Sequence, residues 1–256
     1  MTPMKFVYLL ALLTATVAPL AAQVTETAET IKPGSFFVRM DAVSVGINRD
    51  TTDANKFTAL GLASTIVSAG LTRSVDLQVG FQLFVRETYQ YRGARSTHSG
   101  LGDLTFRTKW TFWRDESVGA AAAVIPYVKI PSNTGGVGNG SVEGGIIVPW
   151  AMTLAGAVKA GAMVQWDILR NDANNGYDSR WYASAYMQRD LLLGFGLYGE
   201  ATVAASSASA SSFAGTMGGG ATLNISKSLQ FDYGINRGLG GRATDWMHVL
   251  RVRWGF

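Results

Sequence analysis

The stretch Val75-Asp76-Leu77-Gln78-Val79-Gly80-Phe81-Gln82-Leu83-Phe84-Val85-Arg86 puts Val75, Leu77, Val79, Phe81, Leu83 and Val85 on one face. The other face carries Asp76, Gln78, Gly80, Gln82, Phe84 and Arg86. A period of two is the repeat of a β-strand, here with one apolar and one mostly polar side. The pattern recurs downstream. Leu104, Phe106, Trp110 and Phe112 alternate with Thr105, Arg107, Lys109 and Thr111, and Val164, Trp166 and Ile168 oppose Lys159, Gln165 and Asp167. Phe231 and Tyr233 oppose Gln230 and Asp232, while Phe36 to Asn48 and Phe57 to Gly70 carry a weaker version.

Twelve such segments are centred near Asp41, Ala63, Gly80, Arg107, Val124, Val148, Val164, Ser184, Leu197, Gly219, Phe231 and Val252. Their connections alternate in length. Arg49 to Lys56, Glu87 to Leu101, Pro131 to Ser141, Asn171 to Asp178, Ala205 to Ser212 and Arg237 to Ala243 are long and polar. Leu71 to Ser74, Arg114 to Glu116, Ala155 to Ala157, Arg189-Asp190 and Ile225 to Lys227 are short. A meander with long connections at one end and short ones at the other is the layout of an outer-membrane barrel. In hydrocarbon every backbone polar group must be paired, and a closed sheet leaves no edge. The expected fold is therefore all-β: a transmembrane antiparallel up-and-down β-barrel of about twelve strands, both termini on the periplasmic, short-turn side.

Composition agrees. Of 256 residues 47% are hydrophobic and 16% charged, and thirty are glycine, so the chain is neither disordered nor a charged linker. It has no cysteine and a net charge of +4 with scattered basic residues, which removes disulfides and thiolate chemistry and argues against nucleic acid as a partner. Residues 1–22 read as a cleaved signal peptide: Lys5, the apolar run Phe6 to Leu13, then Leu20-Ala21-Ala22 before Gln23. A short periplasmic lead, 23–33, would precede the barrel, 34–256. The best candidate for a membrane-spanning helix, Gly144 to Val158, is short and interrupted by Pro149.

The last strand ends in a distinctive way. Trp246, His248, Leu250, Val252, Trp254 and Phe256 share one face, and Trp254 and the terminal Phe256 resemble the signal by which bacterial outer-membrane barrels meet their assembly machinery. Most of the seven tryptophans fall near strand ends, where membrane barrels carry aromatic girdles facing the lipid.

Three motifs carry a family resemblance. Ser99-Gly100-Leu101-Gly102-Asp103-Leu104, running on to Lys109-Trp110, is similar to a motif of an outer-membrane family linked with the meta-pathway of phenol degradation. Val124-Ile125-Pro126-Tyr127-Val128-Lys129-Ile130-Pro131 and Phe231-Asp232-Tyr233-Gly234-Ile235-Asn236, followed by Asp245-Trp246, resemble two more of its segments. The resemblance implies a channel-like or transporter-like barrel with no catalytic residues, associated with aromatic or other hydrophobic compounds. The chain departs from the pattern where Ser132-Asn133-Thr134 separates Pro131 from Gly135 and Gly136.

Parity assigns Arg39, Asp41, Asp76, Arg86, Arg107, Lys109, Lys129, Lys159, Asp167, Glu200, Asp232, Arg251 and Arg253 to the lumen. Lysine or arginine on the lipid face costs about 2–4 kcal/mol at mid-membrane, which supports that side for them. The eight basic and five acidic residues of this set would favour anionic or polar small-molecule solutes, whereas the family association favours aromatic ones. Thr216, Gly218, Gly220 and Thr222 leave inward space on one strand. Twelve strands stand between filled and open barrels, so passive passage of small molecules is read beside a plugged structural barrel. External Arg92 and Arg95 could contact anionic lipid headgroups. An outer-membrane lipid-modifying enzyme is the remaining alternative. It would need His98 with Ser96 or Ser99, which shows no orienting third group, or His248 with Asp245, where His248 shares the lipid-facing parity of Trp246 and Leu250 and reads as an interfacial girdle residue. No metal or cofactor constellation is expected.

Overall fold

The structure, a computed structural model, describes residues 24–50, 55–154, 158–171, 173–207, 214–240 and 243–256. The expected signal peptide and the turn Ala155 to Ala157 lie outside them. The strands are β1 (Phe36–Asp50), β2 (Asn55–Gly70), β3 (Val75–Tyr91), β4 (Ala94–Gly100), β5 (Leu104–Asp115), β6 (Ala120–Ile130) and β7 (Glu143–Leu154). They continue with β8 (Val158–Arg170), β9 (Tyr177–Asp190), β10 (Phe195–Ser206), β11 (Ala214–Asn224), β12 (Leu229–Gly238) and β13 (Trp246–Gly255).

Neighbours in the wall pair antiparallel, and β1 pairs with both β2 and β13, which closes the sheet. Strand β3 explains the thirteenth element. Its lower half, Val75–Gly80, pairs with β5, and its upper half, Val85–Tyr91, pairs with β4. β4 and β5 are thus two halves of one wall strand broken at 101–103, and the barrel has twelve staves. The expected loop Glu87 to Leu101 is corrected: it is a hairpin rising above the wall. Arg92 (φ 46°) and Gly93 (φ 86°) make its two-residue turn, the left-handed pair that such hairpins require. Apolar alternation could not show this hairpin, because both of its faces are largely polar.

The ends meet as the even stave number demands. Phe36 N–H donates to Phe256 O at 2.8 Å, Phe256 N–H returns the bond at 3.0 Å, and the two rings stack 5.9 Å apart. Apolar side chains point outward. Leu77, Val79, Val148, Val164, Leu197 and Leu250 are exposed on the outer surface, with Trp110, Phe112 and Trp113 towards the short-turn end and Tyr177, Trp181 and Trp246 towards the other. The polar residues are those that are buried: Asp76, Asp167, Asp232 and Arg251 are at most 1% exposed. This inversion of a soluble core is what lipid outside and polar contents inside select.

Facing changes once along β1, β2 and β3. Ala42, Ala63 and Leu83 drop out of the ladder pairing, the register of β1 against β13 shifts between Asp41 and Val43, and Ala63 adopts φ 51°. A bulge of this kind moves every later side chain to the opposite face. Below it Asp41, Ser68, Asp76 and Gln78 point inward; above it Ser44, Phe57, Ala59 and Glu87 do.

Candidate functional site: the barrel lumen

Residues 24–33, expected as a lead ahead of the barrel, enter the lumen from the short-turn end. The chain passes over Gly70, where a Cβ would lie 2.2 Å from the carbonyl oxygen of Lys32, so only glycine admits the crossing. Higher up, the Ile31 N–H donates to Asp76 Oδ1 at 3.2 Å, Lys109 Nζ to Glu29 O at 3.0 Å and Thr111 Oγ1 to Ala28 O at 2.6 Å. Ala28 is fully buried among Ala121, Ala123 and Ala151. At mid-barrel the N–H groups of Val24 and Thr25 both donate to the Glu200 carboxylate, at 2.9 and 2.7 Å, and Val24 packs against Ile125, Ile147, Met163 and Tyr182.

Glu26 is the electrostatic anchor. Arg39 of β1 reaches its carboxylate at 2.6 Å and Arg107 of β5 at 2.9 Å. Burial pushes the Glu26 carboxyl up, but Arg107 and Arg39 together hold it well below the usual carboxylate range. Further ion pairs line the wall. Arg251 meets Asp41 at 2.5 Å, Arg180 meets Asp167 at 2.7 Å, Arg253 meets Asp232 at 2.7 Å, and Lys129 bridges Asp103 at 3.0 Å and Glu143 at 2.9 Å.

Above this floor lies a cavity of about 570 Å³. Val24 and Glu26 form its base, and its walls mix Ile66, Phe81, Val85, Ile147 and Leu169 with Tyr127 and Tyr182. The connection between β6 and β7 folds over its rim. Thr134 exchanges bonds with Leu101, Asp103 accepts from the Ser132 and Asn133 N–H groups at 3.1 Å each, and Val137 is buried. The segment Ser132-Asn133-Thr134, which departs from the family pattern, is thus what ties the rim to the broken stave.

Most of the expected lumen residues do face inward. Arg39, Asp41, Asp76, Arg107, Lys109, Lys129, Asp167, Glu200, Asp232, Arg251 and Arg253 all take part in the contacts above or are buried on the inner side. Lys159 keeps inward parity but sits at the short-turn mouth, paired with Asp190 at 3.0 Å and half exposed. Arg86 is the correction. The bulge turns it outward, with its guanidinium 5.5 Å from the Phe84 ring centroid, and places Glu87 inside instead. The acids Glu26, Glu87, Asp103 and Glu143 and the base Arg180 were missed, although the parity of Ser184 already assigns Arg180 to the lumen. With them the cavity lining carries six basic and five acidic side chains, mostly paired, and the expected excess of three cations shrinks to one.

His98 Nε2 lies 3.1 Å from Ser96 Oγ, and the Glu87 carboxylate, which acts on the His98 ring across the β3–β4 pair, accepts a bond from the Tyr89 hydroxyl. His248 faces outward and bonds Tyr233 through Nδ1 at 2.9 Å, while Asp245 accepts the Arg49 N–H.

A family model described as "Putative MetA-pathway of phenol degradation" matches residues 24–255. An outer membrane channel from Pseudomonas putida F1 superposes with a TM-score of 0.65 at 14% identity, covering 90% of this chain and 98% of its own. The β domain of the Bordetella autotransporter BrkA gives 0.56 at 13% identity over 88% and 100% of the two chains. The translocator domain of NalP from Neisseria meningitidis gives 0.54 at 10% identity over 99% and 95%. These likenesses establish the fold, that of outer-membrane barrels. None of the curated proteins compared with the chain matches it.

Proposed function

The chain belongs to this phenol-degradation family, and from that premise we propose that it is a passive outer-membrane channel for small, chiefly uncharged aromatic solutes, gated by its own residues 24–31. The observation that carries the reading is the cavity above the segment: about 570 Å³, walled by aliphatic and tyrosine side chains, its charges mostly paired. Paired charges neither repel nor strongly hold a neutral ring, and the tyrosine hydroxyls supply weak polar contacts, which suits passage better than tight binding. The name of the family points to the same solute class. Long loops face outward and both termini face the periplasm in this reading, and Trp254 and Phe256 present the final strand to the assembly machinery.

For solute to pass, the segment must leave its seat. Cleavage after Ala22 would start the mature chain at Gln23, one residue before Val24, giving a plug short enough to withdraw through the short-turn end. The decisive experiment uses the absence of cysteine. Ala28→Cys with Ala123→Cys joins the segment to β6 at a site where the two alanines already pack together. In planar bilayers and in liposome swelling with phenol-sized solutes, the oxidised double variant is expected to be closed and the reduced form to conduct like the parent. Equal flux in both states refutes the gate, and no flux in any form favours the plugged structural barrel, which the many buried ion pairs would equally stabilise.

A further inference from the structure

Outside the lumen, the long-loop rim carries a row of cations. The register sets Arg49 of β1 opposite Lys56 of β2, Lys56 opposite Gln90 of β3, and Gln90 opposite Arg95 of β4. Phe57 and Tyr89, the residues next in line, are buried inside with ring centroids 4.8 Å apart, so Lys56 and Gln90 point away from the lumen. All four row residues are exposed. At roughly 4.8 Å per strand the row is about 14 Å long. Arg86 lies four residues below Gln90 on the same face of β3, over Phe84.

Like charges directly opposite on paired strands destabilise the pair, so Arg49 beside Lys56 is a cost the fold carries. Among the described residues neither these cations nor Arg95 has an ion-pair partner. Asp245 spends its carboxylate on the Arg49 backbone N–H at 2.7 Å. At the opposite rim Lys159 is paired with Asp190 and Arg114 donates to Thr30 Oγ1 and to the Arg73 carbonyl, while the exposed Arg73 and Lys227 stand on separate turns and form no row. Directly below the row the outer face becomes apolar, with Val43, Val45 and Ile47 on β1, Leu60 and Leu62 on β2 and Phe84 on β3. The row therefore stands where hydrocarbon gives way to headgroups.

We propose that this face of β1–β4 binds the phosphorylated headgroup of an outer-leaflet glycolipid, with Arg49, Lys56 and Arg95 taking the phosphate oxygens and Arg86 marking the hydrocarbon boundary. A phosphate between Arg49 and Lys56 turns their repulsion into two charge-assisted contacts, and a guanidinium offers the fork that a phosphate fits. The inference rests on the outer-membrane reading with long loops external, and not on solute passage. A barrel that never conducts would leave it standing.

The test is native mass spectrometry of the detergent-purified full chain against four probes: diphosphorylated lipid A, its dephosphorylated form, phosphatidylglycerol and inorganic phosphate. The parent is expected to hold the diphosphorylated lipid about tenfold or more tighter than the dephosphorylated one, and Arg49→Gln/Lys56→Gln/Arg95→Gln is expected to lose that preference. Arg73→Gln/Lys227→Gln, at the far rim, should keep it. Should the triple variant fail to fold, Arg95→Gln alone, on the hairpin above the wall, should still weaken binding severalfold. Equal retention by the triple variant, phosphatidylglycerol held as tightly as the glycolipid, or retention of inorganic phosphate alone overturns the proposal.

Discussion

Strand β13 and the segment 24–33 flank β1, one in space and the other in sequence, and different forces hold them. β13 pairs residue by residue with β1 and β12, turns Trp246, Leu250 and Trp254 to the lipid, and buries Arg251 against Asp41. The segment has no ladder. It is held by a few hydrogen bonds to side chains and by one carboxylate, Glu26, between two arginines. Removing a stave would expose unpaired backbone to hydrocarbon, whereas withdrawing the segment exposes it only to water. The difference teaches which part of the molecule is free to move.

The largest expected effect is in the wall. Arg251 and Asp41 join the closing strands from within, and Arg251→Met would strand the Asp41 carboxylate in a site nearly out of reach of water. Losing one partner of such a pair costs about 3–5 kcal/mol. Urea unfolding in detergent should show that loss. If the variant unfolds within about 1 kcal/mol of the parent, within the median worth of an exposed pair, water reaches this seam and the contrast between wall and segment weakens. Next comes the facing of β3. Val79→Arg puts a charge into lipid at about 2–4 kcal/mol, whereas Gln78→Arg adds one to the lumen. Folded yield should fall far more for Val79→Arg, and equal yields would break the assignment of the lower half of β3.

The two regions also differ in how far the sequence shows them. Strands β5, β8 and β12 are plain from alternation, because lipid on one side and polar contents on the other leave a mark at every second residue. Trp254 and Phe256 mark the seam equally well. The bulge across Ala42, Ala63 and Leu83 leaves no such mark: alanine suits either face, so the parity of Val75 to Arg86 runs on through it and misplaces Arg86. Residues 24–33 have no period at all. Their partners are distant in the chain, Glu200 lying 176 residues from Val24 and Thr111 lying 83 from Ala28, so no local pattern could announce them. Glu26 therefore stayed hidden, and with it the charge balance of the lumen.

A smaller effect on stability, but a larger one on flux, is expected from Glu26→Gln. The variant leaves Arg39 and Arg107 repelling each other without their shared carboxylate, so the segment loses its electrostatic anchor while the wall keeps its ladder. Open probability in planar bilayers should rise, with the urea midpoint lowered by less than for Arg251→Met, because withdrawal of the segment lets water reach the two guanidinium groups. Unchanged conductance together with a midpoint lowered as far as for Arg251→Met would make Glu26 part of the wall and merge the two regions into one structural unit.

The smallest perturbation tests the bulge itself. Arg86→Cys and Glu87→Cys are single thiols in a chain that has no cysteine of its own. The exposed Arg86 side chain lies on the outer surface over Phe84, and Glu87 is 7% exposed, bonded to the Tyr89 hydroxyl inside the barrel. Arg86→Cys should change the unfolding free energy by no more than about 0.5 kcal/mol, and Glu87→Cys, which takes away the acceptor of the Tyr89 hydroxyl, by about 1 kcal/mol. In lipid vesicles a bulky maleimide should react faster with Cys at 86 than at 87, and a lipid-soluble quencher should dim a fluorophore at 86 more. If position 87 is the one quenched from the lipid, the alternation of Val75 to Arg86 runs unbroken through Leu83, and Arg86 belongs to the lumen.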